Sequence, residues 1–260
     1  MTQRDYEVPA LRKAIALIEL LCASSRPMGI SEISQALDLN KNMVFRMVRT
    51  LTQAGWLCAD NEENLKYRMT LAPFQHTSKP VQRMNFRMAA LEPLRILWEK
   101  TQQSCYLCIL DRRRSLCIEH MDATGVLRIH GAVGGHYYLH ATAPGKIFLA
   151  YDTSNLLDRL NDDDLPRLTP NTLTDKPLLA DHLHQVMAQG YAVDDRENAE
   201  GVLCYAVPVF NYQQQVVGAI GLSTLTFEYT TRRMIDELGP LVDEAGRTAS
   251  RILGAAEKIG

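Results

Sequence analysis

Six side chains between residues 41 and 53 carry the chemistry of base recognition. Lys41, Asn42, Phe45, Arg46, Arg49 and Gln53 lie in the segment KNMVFRMVRTLTQAG. Arginine donates to the guanine edge, asparagine or glutamine pairs with adenine, and an apolar ring meets the thymine methyl. On a wheel of about 100° per residue, Met43, Val44, Met47, Val48, Leu51 and Ala54 share one apolar arc. Asn42, Phe45, Arg46, Arg49 and Gln53 fall opposite it. On an isolated helix that face would be ordinary solvated surface, so the flanking elements decide its meaning.

The flanking elements supply a helix-turn-helix. LRKAIALIELLCAS spaces Leu11, Ile15, Ile18, Leu21 and Cys22 by helical intervals, and RPMG interrupts the chain. ISEISQAL sets Ile30, Ile33 and Leu37 on one stripe of a short second helix. Asp38 or Asn40 then provides a turn or a cap, and Gly55 stops the third helix. WLCADNEENLKYRM reads as two β-prone runs around the polar loop Asp60–Asn64, a hairpin. Residues 1–72 are thus expected to form a winged helix-turn-helix whose third helix enters the major groove of double-stranded DNA.

Residues 73–103 give a long helical pattern broken by Pro93, with Lys79, Arg83 and Arg87 at its basic start. Residues 73–88 are read as a linker helix and 89–260 as a second domain. There SCYLCIL, SLCIEHM and VLRIHGA are strand-like, and ATAPGKIFLAY opens a helix capped by Thr142. PLLADHLHQVMAQG is helical; YAVDD, GVLCYAVPVF and QVVGAIGLST return to strands, and TTRRMIDELGPLVDEAGRTASRILGAA reads as one long closing helix. The pattern is α+β with a mainly antiparallel sheet.

Two further sites of possible chemistry lie in this half. The start of the helix after Thr142 offers backbone N–H groups of Ala143, Gly145 and Lys146 and a partial positive charge, which suit a carboxylate. Asp194, Cys204 and Ser223 have the groups to bond hydroxyls on the rest of such a ligand, a small organic acid of sugar-acid type. Alternatively, Cys204 with His140 and Glu197 has the residue types of a nucleophile, base and orienting carboxylate, giving a cysteine-dependent small-molecule hydrolase. A third reading is a winged-helix scaffold for protein contacts with no ligand.

Composition narrows the class. Net charge is −2, with 46% apolar and 22% charged residues, ordinary for a globular chain. Residues 1–100 hold 14 Lys/Arg against 10 Asp/Glu, and residues 101–260 hold 14 against 20, so the two halves suit different partners. No apolar run approaches the roughly 20 residues that span a bilayer, and the N-terminus is unlike a secretory signal, so a cytoplasmic location is expected. The six cysteines are scattered, and residues three apart on the strand SCYLCIL face opposite ways. Buried free thiols are expected rather than a metal site, and no cofactor motif is present.

Three segments together resemble the IclR family of bacterial transcription regulators: ISEISQALDLNKNMVFRMVRTLTQAGWL, LHATAPGKIFLA and GYAVDDRENAEGVLCYAVPVFNYQQQVVGAIGLST. The resemblance covers roughly residues 8–252. It implies a winged helix, a linker helix and a GAF-like α/β effector domain, with dimers through the N-terminal part and often tetramers through the C-terminal part. It further implies a repressor, not an enzyme, of carbon-source catabolism genes. Matched through the two C-terminal signatures, the effector wall would be Ile129, Tyr137, Ala143, Pro144, Asp194, Val202, Cys204, Gly221 and Ser223, with Gly145 at the helix start. Asn42 and Met43 replace a frequent Ser/Thr, and Asp38 stands where a turn glycine is common, so the operator sequence does not carry over.

Overall fold

Asn40 decides where the segment KNMVFRMVRTLTQAG becomes a helix. In the computed structural model, which describes residues 8–60, 65–73, 85–125, 129 and 131–256, its side chain accepts from Asn42 N at 2.8 Å. That bond satisfies one of the orphan donors of the first turn. Asp38 takes the left-handed conformation (φ 50°) a glycine would otherwise supply, so turn and cap fall to two different residues. The chain divides into two compact units, with the boundary between residues 81 and 82.

The first unit contains α1 (Pro9–Ala23), β1 (Met28–Gly29), α2 (Ile30–Ala36), α3 (Lys41–Gln53), β2 (Leu57–Ala59) and β3 (Lys66–Met69). The Glu32 carboxylate accepts from Gly29 N at 2.7 Å and anchors the start of α2. Gly55, at φ 75°, ends the α3 turn in a conformation that β-carbons resist. β2 and β3 form the expected hairpin; residues 61–64 of its loop lie outside the described residues. β1 adds a third antiparallel strand, giving the order β1-β3-β2, where the sequence reads only as a break. Leu17, Leu21, Ile33, Val44, Val48, Leu57 and Tyr67 form the core. The apolar stripe expected on α1 is therefore shifted: Leu17 and Leu21 are buried, while Leu11, Ile15 and Cys22 are exposed.

The second unit is a six-stranded antiparallel sheet with helices on both faces. Its strands are β4 (Ser104–Asp111), β5 (Arg114–Met121), β6 (His136–Tyr138), β7 (Ala192–Asp195), β8 (Val202–Phe210) and β9 (Val216–Leu225). They run in the order β6-β5-β4-β9-β8-β7. Alternation along each strand builds two cores. Tyr106, Cys108, Cys204, Ala206 and Ala219 face one, with α5 (Ala143–Ala150) and α7 (Lys176–Gln189); α6 is the short turn Leu156–Arg159. Cys105, Leu107, Leu203, Tyr205, Ile220 and Leu222 face the other, with α4 (Asn85–Thr101), α8 (Thr231–Glu237) and α9 (Gly239–Ile252).

Two helical expectations change. The closing helix is two helices, because Pro240 in the first turn of α9 has no N–H to continue the ladder from α8. Pro93 does not break its helix: α4 runs from Asn85 to Thr101 with Pro93 inside it, held by buried Phe86, Ala90, Leu94 and Leu97. Of the proposed linker, residues 74–84, with Lys79 and Arg83, lie outside the described residues; Arg87 is in α4 and donates to Glu119 at 2.6 Å. Ile129 and Gly131 are not in a strand, and the rest of VLRIH is not described.

Gly221 on β9 faces Tyr106 on β4, and the tyrosine ring lies across it. A β-carbon at Gly221 would come within 2.4 Å of the Tyr205 carbonyl oxygen and 2.7 Å of Tyr106 Oη. Because backbone cannot yield cheaply, Gly221→Ala should lower stability by about 1–3 kcal/mol. Urea unfolding at constant slope checks this; an unchanged midpoint would show that the ring and strand give way freely.

Candidate functional site

The sequence points to two sites, one in each unit. In the first, Lys41, Asn42, Phe45, Arg46, Arg49 and Gln53 are all exposed on α3, while Val44 and Val48 are buried and Met43, Met47 and Leu51 half-buried. Ala54, expected in the apolar arc, caps the helix and is exposed. Phe45 leaves 46% of its surface in water, a costly placement for an apolar ring with no partner. Lys41, Arg46 and Arg49 have no ion-pair partner among the described residues, so their charge faces solvent.

In the second unit a cavity of about 260 Å³ opens against the face of the sheet that packs on α5. Of the expected wall, Ile129, Tyr137, Pro144, Asp194, Val202, Cys204 and Ser223 line it. Ala143, Gly145 and Gly221 do not. Ala143 is core, and Gly145 sits where a β-carbon would meet the Leu139 backbone at 2.3 Å. Gly221 acts one step removed, by making room for Tyr106, which does line the cavity. Sequence reasoning missed Tyr106, Cys108, Cys117, His120 and Asn198. Strand alternation from Cys204 and Ser223 sets the near face of β8 and β9, but nothing in the pattern extends it to β4 and β5.

The carboxylate cradle expected at the start of α5 is already occupied. Thr142 Oγ1 accepts from Gly145 N at 3.3 Å, and Lys146 N donates to the Thr142 carbonyl at 2.9 Å. Pro144 has no donor, so the helix start caps itself. The Lys146 side chain is wholly buried, donating to Val193 O at 2.9 Å and to the Glu197 carboxylate.

Asp194 is the buried carboxyl of the wall. Its Oδ1 accepts from Glu197 N at 2.7 Å and Asn198 N at 3.2 Å, while the buried Oδ2 has no partner. Burial pushes its carboxyl up to about 7, against the pull of nearby Lys146. Beside it, Cys204 Sγ and Ser223 Oγ lie 3.1 Å apart, and burial drives the Cys204 thiol well above its ordinary value. Among the described residues no His/Cys/Asp/Glu group is arranged to hold a metal, and no helix is long and apolar enough to cross a membrane.

Comparison with known proteins matches residues 10–60 to the IclR helix-turn-helix domain and residues 78–251 to the C-terminal domain of the bacterial transcriptional regulator IclR. The chain belongs to the IclR family. It is 31% identical over 248 residues to the HTH-type transcriptional regulator XynR of Escherichia coli K12, covering 95% of this chain and 98% of XynR. With the HTH-type transcriptional repressor AllR of Klebsiella pneumoniae it shares 27% over 246 residues, 94% of this chain and 90% of AllR. An IclR homolog from Microbacterium hydrocarbonoxydans complexed with 4-hydroxybenzoate has the same fold, with a TM-score of 0.81 at 18% identity, covering 95% and 100% of the two chains. This IclR-family chain is a DNA-binding transcriptional regulator with an N-terminal helix-turn-helix and a C-terminal antiparallel-sheet domain.

The nucleophile–base arrangement does not assemble in this IclR-family cavity. His140 Nε2 is 3.0 Å from the Pro166 carbonyl, Glu197 is paired with Lys146, and Cys204 is paired with Ser223. Burial holds His140 below its ordinary pKa.

A carboxyl raised from 3.8 to about 7 binds its proton more tightly folded than unfolded, so its contribution to stability falls as pH rises between those values. Asp194→Asn should remove that component. Melting temperatures of both proteins from pH 4 to pH 8 should show a steeper decline for the wild type up to about pH 7; parallel curves would mean that Asp194 stays ionised.

Proposed function

We propose that this protein is an operator-binding repressor of carbon-source catabolism genes, acting in the cytoplasm and released by a small organic acid bound in the C-terminal cavity. The observation that carries the ligand reading is Asp194 Oδ2, a buried and unpartnered oxygen at the cavity wall. A buried polar atom in that state costs about 1–3 kcal/mol, which a ligand hydrogen bond relieves. With burial raising its carboxyl to about 7, Asp194 in its protonated form is a donor to a ligand carboxylate. The volume, about 260 Å³, lies below the ~300–1,000 Å³ of drug-sized sites and favours a compact occupant.

The rest of the wall favours a flat body. Tyr106, Tyr137, Ile129, Pro144 and Val202 offer ring and aliphatic surface, while Cys204 and Ser223 add short polar contacts. A polyhydroxylated sugar acid needs a partner for each hydroxyl, so an aromatic or unsaturated acid suits this cavity better than the sugar acid the sequence suggests. The 4-hydroxybenzoate of the Microbacterium relative belongs to that class. Catalysis is not part of the reading: a thiol this strongly protonated, without a base, binds rather than attacks.

Dimers form through α1 in this reading, where Val8, Leu11 and Ile15 are 59%, 60% and 47% exposed at helical spacing, and tetramers through the C-terminal unit. Pairing sets the spacing of two recognition helices. The signal has a physical start on β9, which carries Ser223 at the cavity and Gly218 directly beneath the ring of Phe86 at the beginning of α4.

Operator DNA selected from a random duplex pool tests the reading. Arg46→Ala and Arg49→Ala should each weaken binding by about 1–3 kcal/mol at fixed salt, without loss of fold. Equal affinity in both variants would remove this face as the reader. A thermal-shift panel of aromatic and aliphatic acids tests the cavity, with Asp194→Asn expected to weaken the responding acid roughly tenfold, the equivalent of about 1.4 kcal/mol. A panel with no responder would overturn the ligand class and leave the DNA reading standing.

A further inference from the structure

Two strands bring one cysteine each to the cavity wall, and the register sets them face to face: Cys108 on β4 is the partner of Cys117 on β5. The kind of pairing follows from the backbone. Cys117 N donates to Gly135 O at 3.0 Å, and the Cys117 carbonyl accepts from Gly134 N at 2.8 Å, so both groups are engaged on the side away from β4. Towards β4 Cys117 therefore stands in a non-hydrogen-bonded position, where opposed Cα atoms approach to about 4.5 Å. That separation is within the ~4.4–6.8 Å a disulfide spans.

The side chains agree with the backbone. Both cysteines are 3% exposed, belong to the core on the α5 face and line the cavity. The Cys117 thiol donates to the Glu119 carbonyl at 3.2 Å. The register shifts between Leu107 and Cys108, with Ile118 as the extra residue on β5, so the ladder already departs from regular pleating here. Cys105, three residues before Cys108, faces the opposite core, and Cys204 is engaged with Ser223.

We propose that Cys108 and Cys117 are a reversible dithiol–disulfide site in the cavity wall, oxidised by a small hydroperoxide. The neighbouring Cys108 holds the Cys117 thiol below its ordinary value, and Cys117, with burial, raises Cys108. Cys117 is accordingly the attacking sulfur. With hydrogen peroxide, the Cys117 thiolate attacks one oxygen and the O–O bond breaks. Hydroxide leaves, takes up the proton that Cys117 had released, and departs as water, leaving a sulfenic acid. The Cys108 sulfur then attacks the Cys117 sulfur, the S–OH bond breaks, and the second water leaves with the Cys108 proton. Two electrons pass from the two sulfurs to one peroxide, and two waters form. A thiol reductant reverses the bond by exchange.

The test uses the full chain with hydrogen peroxide as the probe, free thiols then being blocked with N-ethylmaleimide under denaturing conditions. Trypsin cuts at Arg112, Arg113 and Arg114, which places Cys105 and Cys108 on the peptide 101–112 and Cys117 on 115–128. The expected product is those two peptides joined, with one maleimide on Cys105 and otherwise two hydrogens lighter than their sum, with fragmentation locating the bond at Cys108 and dithiothreitol releasing it. It should be absent from Cys108→Ser and Cys117→Ser and present in Cys105→Ser and Cys204→Ser. The wild-type fragmentation alone decides the case if a variant fails to fold. A bond through Cys105, a bond between two chains, or complete blocking of Cys108 and Cys117 after peroxide would overturn the proposal.

Discussion

A lysine ammonium sealed from water needs its charge answered inside the protein, and Lys146 sets that requirement for the whole C-terminal unit. Its side chain is fully buried on α5 and reaches the Val193 carbonyl of β7 and the Glu197 carboxylate in the turn that follows. Desolvating each ion costs several kcal/mol, and removing one partner of a buried pair costs about 3–5 kcal/mol. The pair thus fixes α5 against β7 and the turn, the segments that supply Pro144, Asp194 and Asn198 to the cavity. Two carboxyls share this one ammonium. Glu197 takes the direct contact, while Asp194 feels Lys146 only through space and keeps its proton up to about 7. The raised carboxyl at the cavity is thus set by burial first, against the pull of Lys146, with the charge of Glu197 adding a smaller push in the same direction as burial.

The sheet divides its labour by alternation. On β8 and β9, Leu203, Tyr205, Val207, Ile220 and Leu222 pack under α4, α8 and α9, while Cys204, Ala206, Ala219 and Ser223 face the cavity side. The first set is large and apolar; the second is small or carries one polar atom. Small residues on one face leave space, and the helices opposite do not fill it. A cavity arises there because the side chains of one parity are short. The same parity rule aligns Cys108 and Cys117 on neighbouring strands.

Signals that act within a few residues were legible in the sequence. Asn40 as a cap, Gly55 as a stop, Thr142 before Pro144 and the opposed Cys105 and Cys108 each follow from local geometry, and the structure has them. Signals that depend on partners far along the chain were not. Lys146 reads as a donor at the helix start until Glu197, fifty-one residues later, is seen beside its side chain. The start of α5 reads as an open anion site until the Thr142 side chain is counted as its occupant. β1 and β6, of two and three residues, are too short to show a period. Pro93 and Pro240 look alike in sequence. One sits in a helix with buried residues on both sides to hold it, and the other opens a new helix after Leu238.

Charge distribution completes the account of how a slightly acidic chain binds a polyanion. Affinity for the DNA backbone grows with the number of phosphates neutralised, so a chain of net −2 gains little from its charge as a whole. The surplus is instead segregated between the units: net +2 over residues 1–81 and net −4 over residues 82–260. Within the first part, α3 presents Lys41, Arg46 and Arg49 with no acidic residue along its length. Phosphate is attracted to the unit that reads bases and repelled by the unit that holds the ligand. Non-specific attraction through the larger unit would add affinity for every sequence equally and dilute the contribution of the helix-turn-helix. An acidic C-terminal half is thus the electrostatic complement of a small basic reading face, and specificity depends on keeping the two apart in sign.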